Sequence, residues 1–253
     1  MQHQTSNKLL SDNQHGFVNH KACVTNLLET VDFLTAHHAD KIPTDLVLLD
    51  FAKAFDKVPH KRLILKLERY GIHGKLLNWI QAFLSNRKQR VCLGDNSSGW
   101  VPVTSSVPQG SVLGPTLFII YINDLVETVT NRTILYADDT KILSPINNST
   151  DAERLQSDID SIVEWTNKWL MKLNIEKCKV MHFGKHNTKH IYTMDSYTTN
   201  TPIPLATSEV ERDLGIQLTV NLKVSHQCKI AANRANFLLS VLKSNFISRD
   251  AEL

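Results

Sequence analysis

Residues 134–143, ILYADDTKIL, decide how this chain folds. Apolar side chains flank Ala137-Asp138-Asp139 on both sides, the pattern of a tight β-hairpin with two acids at its tip. Upstream, LVLLDF (Leu46 to Phe51) is a nearly continuous apolar run that reads as a buried strand, with Asp50 at its end. Carboxylates in such surroundings are costly, and three close together repel unless cations sit between them. Mg²⁺ takes oxygen ligands and joins carboxylates to a substrate's phosphates, and two such ions ~3.5 to 4 Å apart serve in-line displacement. The residues alone therefore point to metal-dependent phosphoryl transfer. The plain alternative is ordinary turn chemistry at Asp138-Asp139 and a helix cap at Asp50.

Working outward, residues 22–38 read as a helix, and two amphipathic helices follow near 60–70 and 74–85, the first stopped at Gly71. Arg90 to Leu93 and Trp100 to Thr104 read as paired strands across GDNSSG. Pro115 suits a first helical position, and Leu117 to Leu125 is apolar nearly all round, which predicts a buried helix. Thr150 and Glu153 form a capping box for a long helix. Its core face would be Leu155, Ile159, Ile162, Val163, Trp169, Leu170 and Leu173, with Asn174 as the stop. Val180 to Phe183 and Asp213 to Leu218 add strands, and residues 226–244 a last helix. Strands and helices in mixed order predict an α+β fold, an antiparallel sheet with helices on one face, rather than a doubly wound parallel sheet.

The 253 residues suit one or two lobes, and 42% hydrophobic against 21% charged excludes collagen-like and disordered classes. The longest apolar run, Val112 to Ile122, is interrupted and too short for a membrane span. The N-terminal stretch has no apolar signal region, so an intracellular chain with no membrane partner is expected. Cysteines 23, 92, 178 and 228 contain no Cys-x-x-Cys pair, against a zinc ribbon or disulfide framework. His182, His186 and His190 share a face only in a helix, which Gly184 and Asn187 disfavour, so they read as loop histidines. Residues 57–90 carry nine bases (Lys57, Lys61, Arg62, Lys66, Arg69, Lys75, Arg87, Lys88, Arg90) against Glu68. That leaves +8 there and −5 elsewhere in a chain of net charge +3. This asymmetry suits a polyanion held beside a cation-binding acidic site; the alternative is a solvated helix face.

VLLDFAKAFDKVPH (47–60), VPQGSVLGPTLFIIYINDL (107–125) and LYADDTKIL (135–143) resemble, in order and spacing, the three central motifs of reverse transcriptases from non-LTR retrotransposons, especially jockey-like LINE elements. NQHGF (13–17), LNIEKCKVMHFG (173–184) and DLGIQL (213–218) are similar to the flanking fingers, fourth-palm and primer-grip motifs. The resemblance implies a right-hand polymerase: partial fingers at 1–44, palm at 45–220 with a basic fingers/palm segment at 57–107, and the start of a thumb at 221–253. It implies RNA-directed DNA polymerase activity with two Mg²⁺ ions, Mn²⁺ being an alternative. The implied partners are an RNA template, a DNA primer or RNA–DNA hybrid, and dNTPs, with an endonuclease in a full-length parent.

Carried over, Asp50, Asp138 and Asp139 are the catalytic acids and, with the Phe51 carbonyl, the metal ligands. Lys53 and Ala54 would offer backbone N–H groups to the triphosphate. Phe55 would exclude a 2′-hydroxyl, against the simpler reading of a core aromatic. Gln109 and Gly110 would pack at nucleotide and template, or Gly110 is merely a loop residue. Lys177 would protonate the leaving pyrophosphate, or is a solvated lysine. Leu214 and Gly215 would grip the primer, or form a strand-edge turn.

Val18 and Lys21 stand where the family usually has arginines, so that one cationic fingers contact is expected to be lost and another softened. The earlier fingers motif is missing and the thumb is expected to be incomplete, as in a partial element copy. A catalytically inactive remnant that binds nucleic acid through 57–90, and a palm-type cyclase, are the competing functions.

Overall fold

The apolar run at Leu46 becomes β1 (Thr44–Leu49), the middle strand of a five-stranded sheet in the computed structural model, which describes residues 9–197 and 201–246. The short strands β2 (Lys88–Gln89), β3 (Cys92–Leu93), β4 (Asn96–Ser97) and β5 (Val101–Pro102) follow it. Next come β6 (Arg132–Tyr136), β7 (Asp139–Pro145), β8 (Lys179–Phe183), β9 (Thr193–Asp195), β10 (Pro202–Pro204) and β11 (Ala206–Thr207). β12 (Val210–Asp213) and β13 (Ile216–Thr219) complete the strands. The main sheet runs β11-β8-β1-β7-β6, antiparallel except for the β11–β8 pair. The helices are α1 (Cys23–Ala39), α2 (Ala54–Lys57), α3 (His60–Arg69), α4 (Gly74–Leu84), α5 (Leu113–Ile122), α6 (Ser149–Trp169) and α7 (Ser225–Asn245). A 3₁₀ turn at Asn123–Thr128 extends α5.

Strand alternation sorts the sheet into two faces. Val47, Leu49, Ile142 and Val180 join Phe118 and Tyr121 of α5 and Leu155 and Ile159 of α6 in the main core. Leu46, Ile134, Leu143 and Met181 point the other way, against Leu34 of α1 and Leu218 of β13. Helices therefore lie on both faces, not on one. The stripe that α1 buries is Asn26, Thr30 and Leu34, two of them polar, so its burial leaves no apolar signature in the sequence.

Several boundaries move for identifiable reasons. The long helix is capped by Asn148, whose side chain accepts from the Asp151 amide (3.1 Å), while Asp151 accepts from the Asn147 amide (2.9 Å); Thr150 and Glu153 lie inside it. It ends at Trp169 because Leu170 adopts φ 56°, which leaves Leu170 exposed rather than in the core and Asn174 beyond the helix. α5 begins at Leu113, two residues before Pro115. The Arg90–Leu93/Trp100–Thr104 pairing resolves into two separate two-residue ladders, β2–β5 and β3–β4, on exposed residues with no core to extend them. The single strand expected over Asp213–Leu218 is a hairpin, β12–β13, turning at Leu214-Gly215. Gly71 does close α3, at φ 76°.

All four cysteines are free. Among the described residues no helix is long and apolar enough to cross a membrane. Residues 1–8 of the expected fingers and 247–253 of the expected thumb start lie outside the described residues.

Candidate active site

The β6–β7 hairpin pairs Tyr136 with Asp139, so Ala137 and Asp138 form the tip, with Ala137 at φ 55°. A left-handed alanine is strained and must be held by its surroundings. The buried Gln14 holds it: its Oε1 accepts from the amides of Ala137 (2.9 Å) and Gly16 (2.7 Å), and its Nε2 donates to the Ala137 carbonyl (3.4 Å). On either side, the His15 amide donates to the Leu135 carbonyl (2.8 Å) and the Leu135 amide to the Asn13 carbonyl (2.9 Å). Gly16 passes so close that a Cβ there would stand 2.4 Å from the Ala137 nitrogen. NQHGF is thus a backbone clamp on the acidic turn.

Asp50 follows β1, one step beyond the last registered pair, Leu49 with Thr140, and so lies beside Asp139. Its carbonyl accepts from the Asn174 amide (2.7 Å), and a Phe51–Leu173 bridge holds the next residue. A cleft of about 140 Å³ is lined by Asp50, Asp139, Lys141, Lys177, Asp213 and Leu214, among others. Burial and the charge of Asp50 raise the Asp138 carboxyl above the usual range. Asp139 is pushed up to about 6 by burial and by Asp138 and Asp213, Lys141 opposing. Carboxylates raised by burial and by neighbouring negative charge are what a hard cation relieves, and an all-oxygen donor set suits Mg²⁺ or Mn²⁺. Among the described residues no three His, Cys, Asp or Glu side chains are grouped so as to hold an ion by themselves. A bound ion would therefore need ligands from backbone, water or substrate. His182, on β8, bonds the buried Asp45 through Nδ1 (2.7 Å).

Lys177 is 67% exposed, with its Nζ 3.7 Å from an Asp50 carboxylate oxygen. Lys53, at φ 55°, precedes α2, so its amide and that of Ala54 head a helical turn, where N–H groups lack intrahelical acceptors. Phe55 stacks on Phe118 (centroids 4.3 Å apart, 15° between planes) and meets the edge of Phe17 at 6.3 Å. The loop at 107–110 is stitched to the same segment: the Val107 amide donates to the Phe55 carbonyl (2.9 Å), and Gln109 Nε2 to Asp56 (3.0 Å). Gly110 sits at φ 77°, a conformation that favours glycine. Leu214 and Gly215, at φ 44° and 95°, form the β12–β13 turn, with Leu214 at the acidic cleft.

The basic segment divides. Lys57, Lys61, Arg69, Lys75, Lys88 and Arg90 are exposed. Lys66 is not available to a polyanion: its Nζ bonds Asp124 (2.5 Å) and lies over the rings of Trp169 (3.8 Å), Trp165 and Tyr121 (both 4.8 Å). Burial lowers it to about 8 despite Asp124. Arg87 is turned inward, to the Ser106 carbonyl (2.8 Å). Sequence reasoning missed the individual roles of Gln14, Phe118, Lys141 and Asp213. All four lie inside recognised motifs, but their contacts join segments distant in the chain.

Residues 1–230 match the family model described as reverse transcriptase (RNA-dependent DNA polymerase). The chain is 34% identical over 145 residues to the RNA-directed DNA polymerase from mobile element jockey of Drosophila melanogaster, covering 54% of this chain and 16% of that protein. It is 29% identical over 188 residues to the probable RNA-directed DNA polymerase from transposon BS of the same organism, covering 68% and 20%. The chain thus spans about a sixth to a fifth of these relatives' lengths. Among solved structures, telomerase from Candida tropicalis in complex with the TWJ fragment of telomeric RNA superposes with TM-score 0.55 at 12% identity, over 88% of this chain and 36% of that one. The apo form of that telomerase gives 0.52 at 10%, over 88% and 39%. At these identities the likeness is one of fold, an α+β polymerase fold.

Proposed function

Because the chain belongs to the reverse transcriptase family, we propose that it extends a nucleic-acid primer with dNTPs on an RNA template by two-metal phosphoryl transfer. The observation that carries the reading is the meeting of Asp50, Asp138 and Asp139 at the end of β1 and the β6–β7 turn, where burial and neighbouring carboxylate charge raise Asp138 and Asp139. In this reading residues 1–44 are partial fingers, 45–220 palm and 221–253 the start of a thumb.

Asp50, Asp138, Asp139 and the Phe51 carbonyl would hold Mg²⁺, or Mn²⁺, which when bound supplies Lewis-acid activation of the primer hydroxyl and neutralises charge on the leaving pyrophosphate. The chain's own part is orientation and proton handling. Phe55, backed by Phe118, forms a flat floor for the incoming sugar whose bulk excludes a 2′-hydroxyl. Amides at Lys53 and Ala54 face the triphosphate, Gln109 and Gly110 border the nucleotide and template, and Leu214-Gly215 supports the primer end. Lys177 delivers a proton to the leaving oxygen after parting from Asp50, a movement its exposure permits. An endonuclease would belong to a longer parent protein.

Replacing Asp138 with Asn keeps the size of the turn residue and removes its charge. Mg²⁺-dependent extension of a DNA primer on RNA should then fall to background; undiminished extension would overturn the reading. The exposed bases of the 57–90 segment favour one second reading, a remnant that binds nucleic acid without catalysis. Salt-sensitive binding by a wild-type protein that incorporates no dNTP would select it.

A further inference from the structure

Lys141 stands two residues after Asp139 on β7, on the face that also carries Asp139 and Leu143. It is buried, and its Nζ reaches three groups from two other segments: Asp213 at the end of β12, in a close ion pair, and Asn26 Oδ1 (2.5 Å) and Thr30 Oγ1 (3.4 Å) on α1. Asp213 is buried as well and directly precedes the Leu214-Gly215 turn. The β12–β13 hairpin forms no ladder with the main sheet. Its apolar anchors, Leu218, Val220 and Leu222, lie at or beyond the β13 end, away from the turn. Among the described residues Asp213 is the hairpin residue that bonds a side chain of the main sheet. Asn26 turns its carbonyl oxygen to Lys141 although its buried Nδ2 has no partner, so the α1 surface is committed to this cation.

Buried ion pairs contribute little net stability over apolar replacements, and their best-attested use is to fix geometry. We propose that Lys141 and Asp213 are positioning residues that lock the Leu214-Gly215 turn to the strand carrying Asp139, and so set where a primer's 3′ end meets the acidic turn. This inference rests on the polymerase reading above. Lys141 and Asp213 are bonded to each other at the wall of the cleft, and the pair acts by holding two hairpins in one relative placement.

The test compares the wild-type chain with Lys141→Arg, Lys141→Met and the double variant Lys141→Met/Asp213→Leu. The double variant removes both charges, so it folds even if the lone Lys141→Met does not. Two readouts are taken: amide hydrogen exchange over residues 212–217, and steady-state dTTP incorporation on poly(rA)–oligo(dT). In the double variant the turn amides should exchange at least about tenfold faster. The KM for primer–template should rise about tenfold, with the KM for dTTP nearly unchanged. Lys141→Arg, which keeps the pair, should preserve both values. Unchanged exchange in the double variant overturns the proposal whatever the activity. Faster exchange with an unchanged primer–template KM, or a loss confined to kcat, overturns the positioning role while leaving the polymerase reading in place. A wild-type chain that incorporates nothing refutes the polymerase reading, and faster exchange would then reduce the pair to a structural tie.

Discussion

Gly16→Ala tests the clamp on the acidic turn. A Cβ at residue 16 would stand 2.4 Å from the Ala137 nitrogen, 3.0 Å from the Tyr136 carbonyl carbon and 3.1 Å from the Ala137 Cα, where ordinary contact begins at 3.4 Å. All three neighbours are backbone, so no side chain can rotate away. Relief requires the turn and the 13–17 segment to separate by about 1 Å at the nearest contact, directly beside Asp138. Overpacking of this kind costs roughly 1 to 3 kcal/mol, which lowers the melting temperature without unfolding the domain. A displacement of about 1 Å at a catalytic group costs on the order of 100-fold in rate. The assay is single-turnover dTTP incorporation on poly(rA)–oligo(dT) at saturating Mg²⁺, with circular dichroism melting of the same samples. A folded variant that extends at the wild-type rate would show that Asp138 does not depend on the clamp.

Other perturbations follow from the same contacts. Phe55→Val removes the ring stacked on Phe118 and should admit ribonucleotides, seen as a dTTP-to-rUTP discrimination ratio falling by about tenfold or more; an unchanged ratio would remove Phe55 from the sugar site. Lys66, lowered to about 8 from 10.5, is neutral in the folded chain but protonated in the unfolded chain between those values. Its contribution to stability should therefore rise with pH across that window, by up to about 3 kcal/mol relative to Lys66→Met; parallel urea-melt profiles of the two proteins from pH 7.5 to 10 would refute this. Replacing Lys88 and Arg90 together with Ala should lower the slope of log affinity for an RNA–DNA hybrid against log salt by about 1 to 2; an unchanged slope would place the polyanion elsewhere.

What could be read from the sequence follows the physics of each segment. The acidic hairpin and β1 were legible because apolar runs bounded by acids mark strands buried on both faces of an antiparallel sheet. The length of α6 was legible, but its start was not. Asn148 and Thr150 both suit a cap, and what separates them is the bond that the Asn148 side chain accepts from the Asp151 amide. The seating of α1 was hidden because its buried stripe is built from Asn26 and Thr30, polar residues that make sense only once Lys141 is beside them. The 90–104 region reads as one strand pair but forms two short ladders, because its exposed residues pack against nothing that would extend them. At the candidate site, an acid ending an apolar run and an acid pair between two apolar arms single out Asp50, Asp138 and Asp139 as candidates. Gln14 and Asp213 act through contacts more than 70 positions away in the chain, which no local pattern encodes.

The most direct measurement is templated dNTP incorporation by the wild-type chain: poly(rA)–oligo(dT) offered dTTP or dGTP, with Mg²⁺ or with EDTA. The arrangement of carboxylates predicts extension with dTTP and Mg²⁺ alone, and none with dGTP or in EDTA. A folded protein that binds the hybrid yet incorporates nothing, or that extends equally in EDTA, would contradict metal-dependent, template-directed synthesis at Asp50, Asp138 and Asp139.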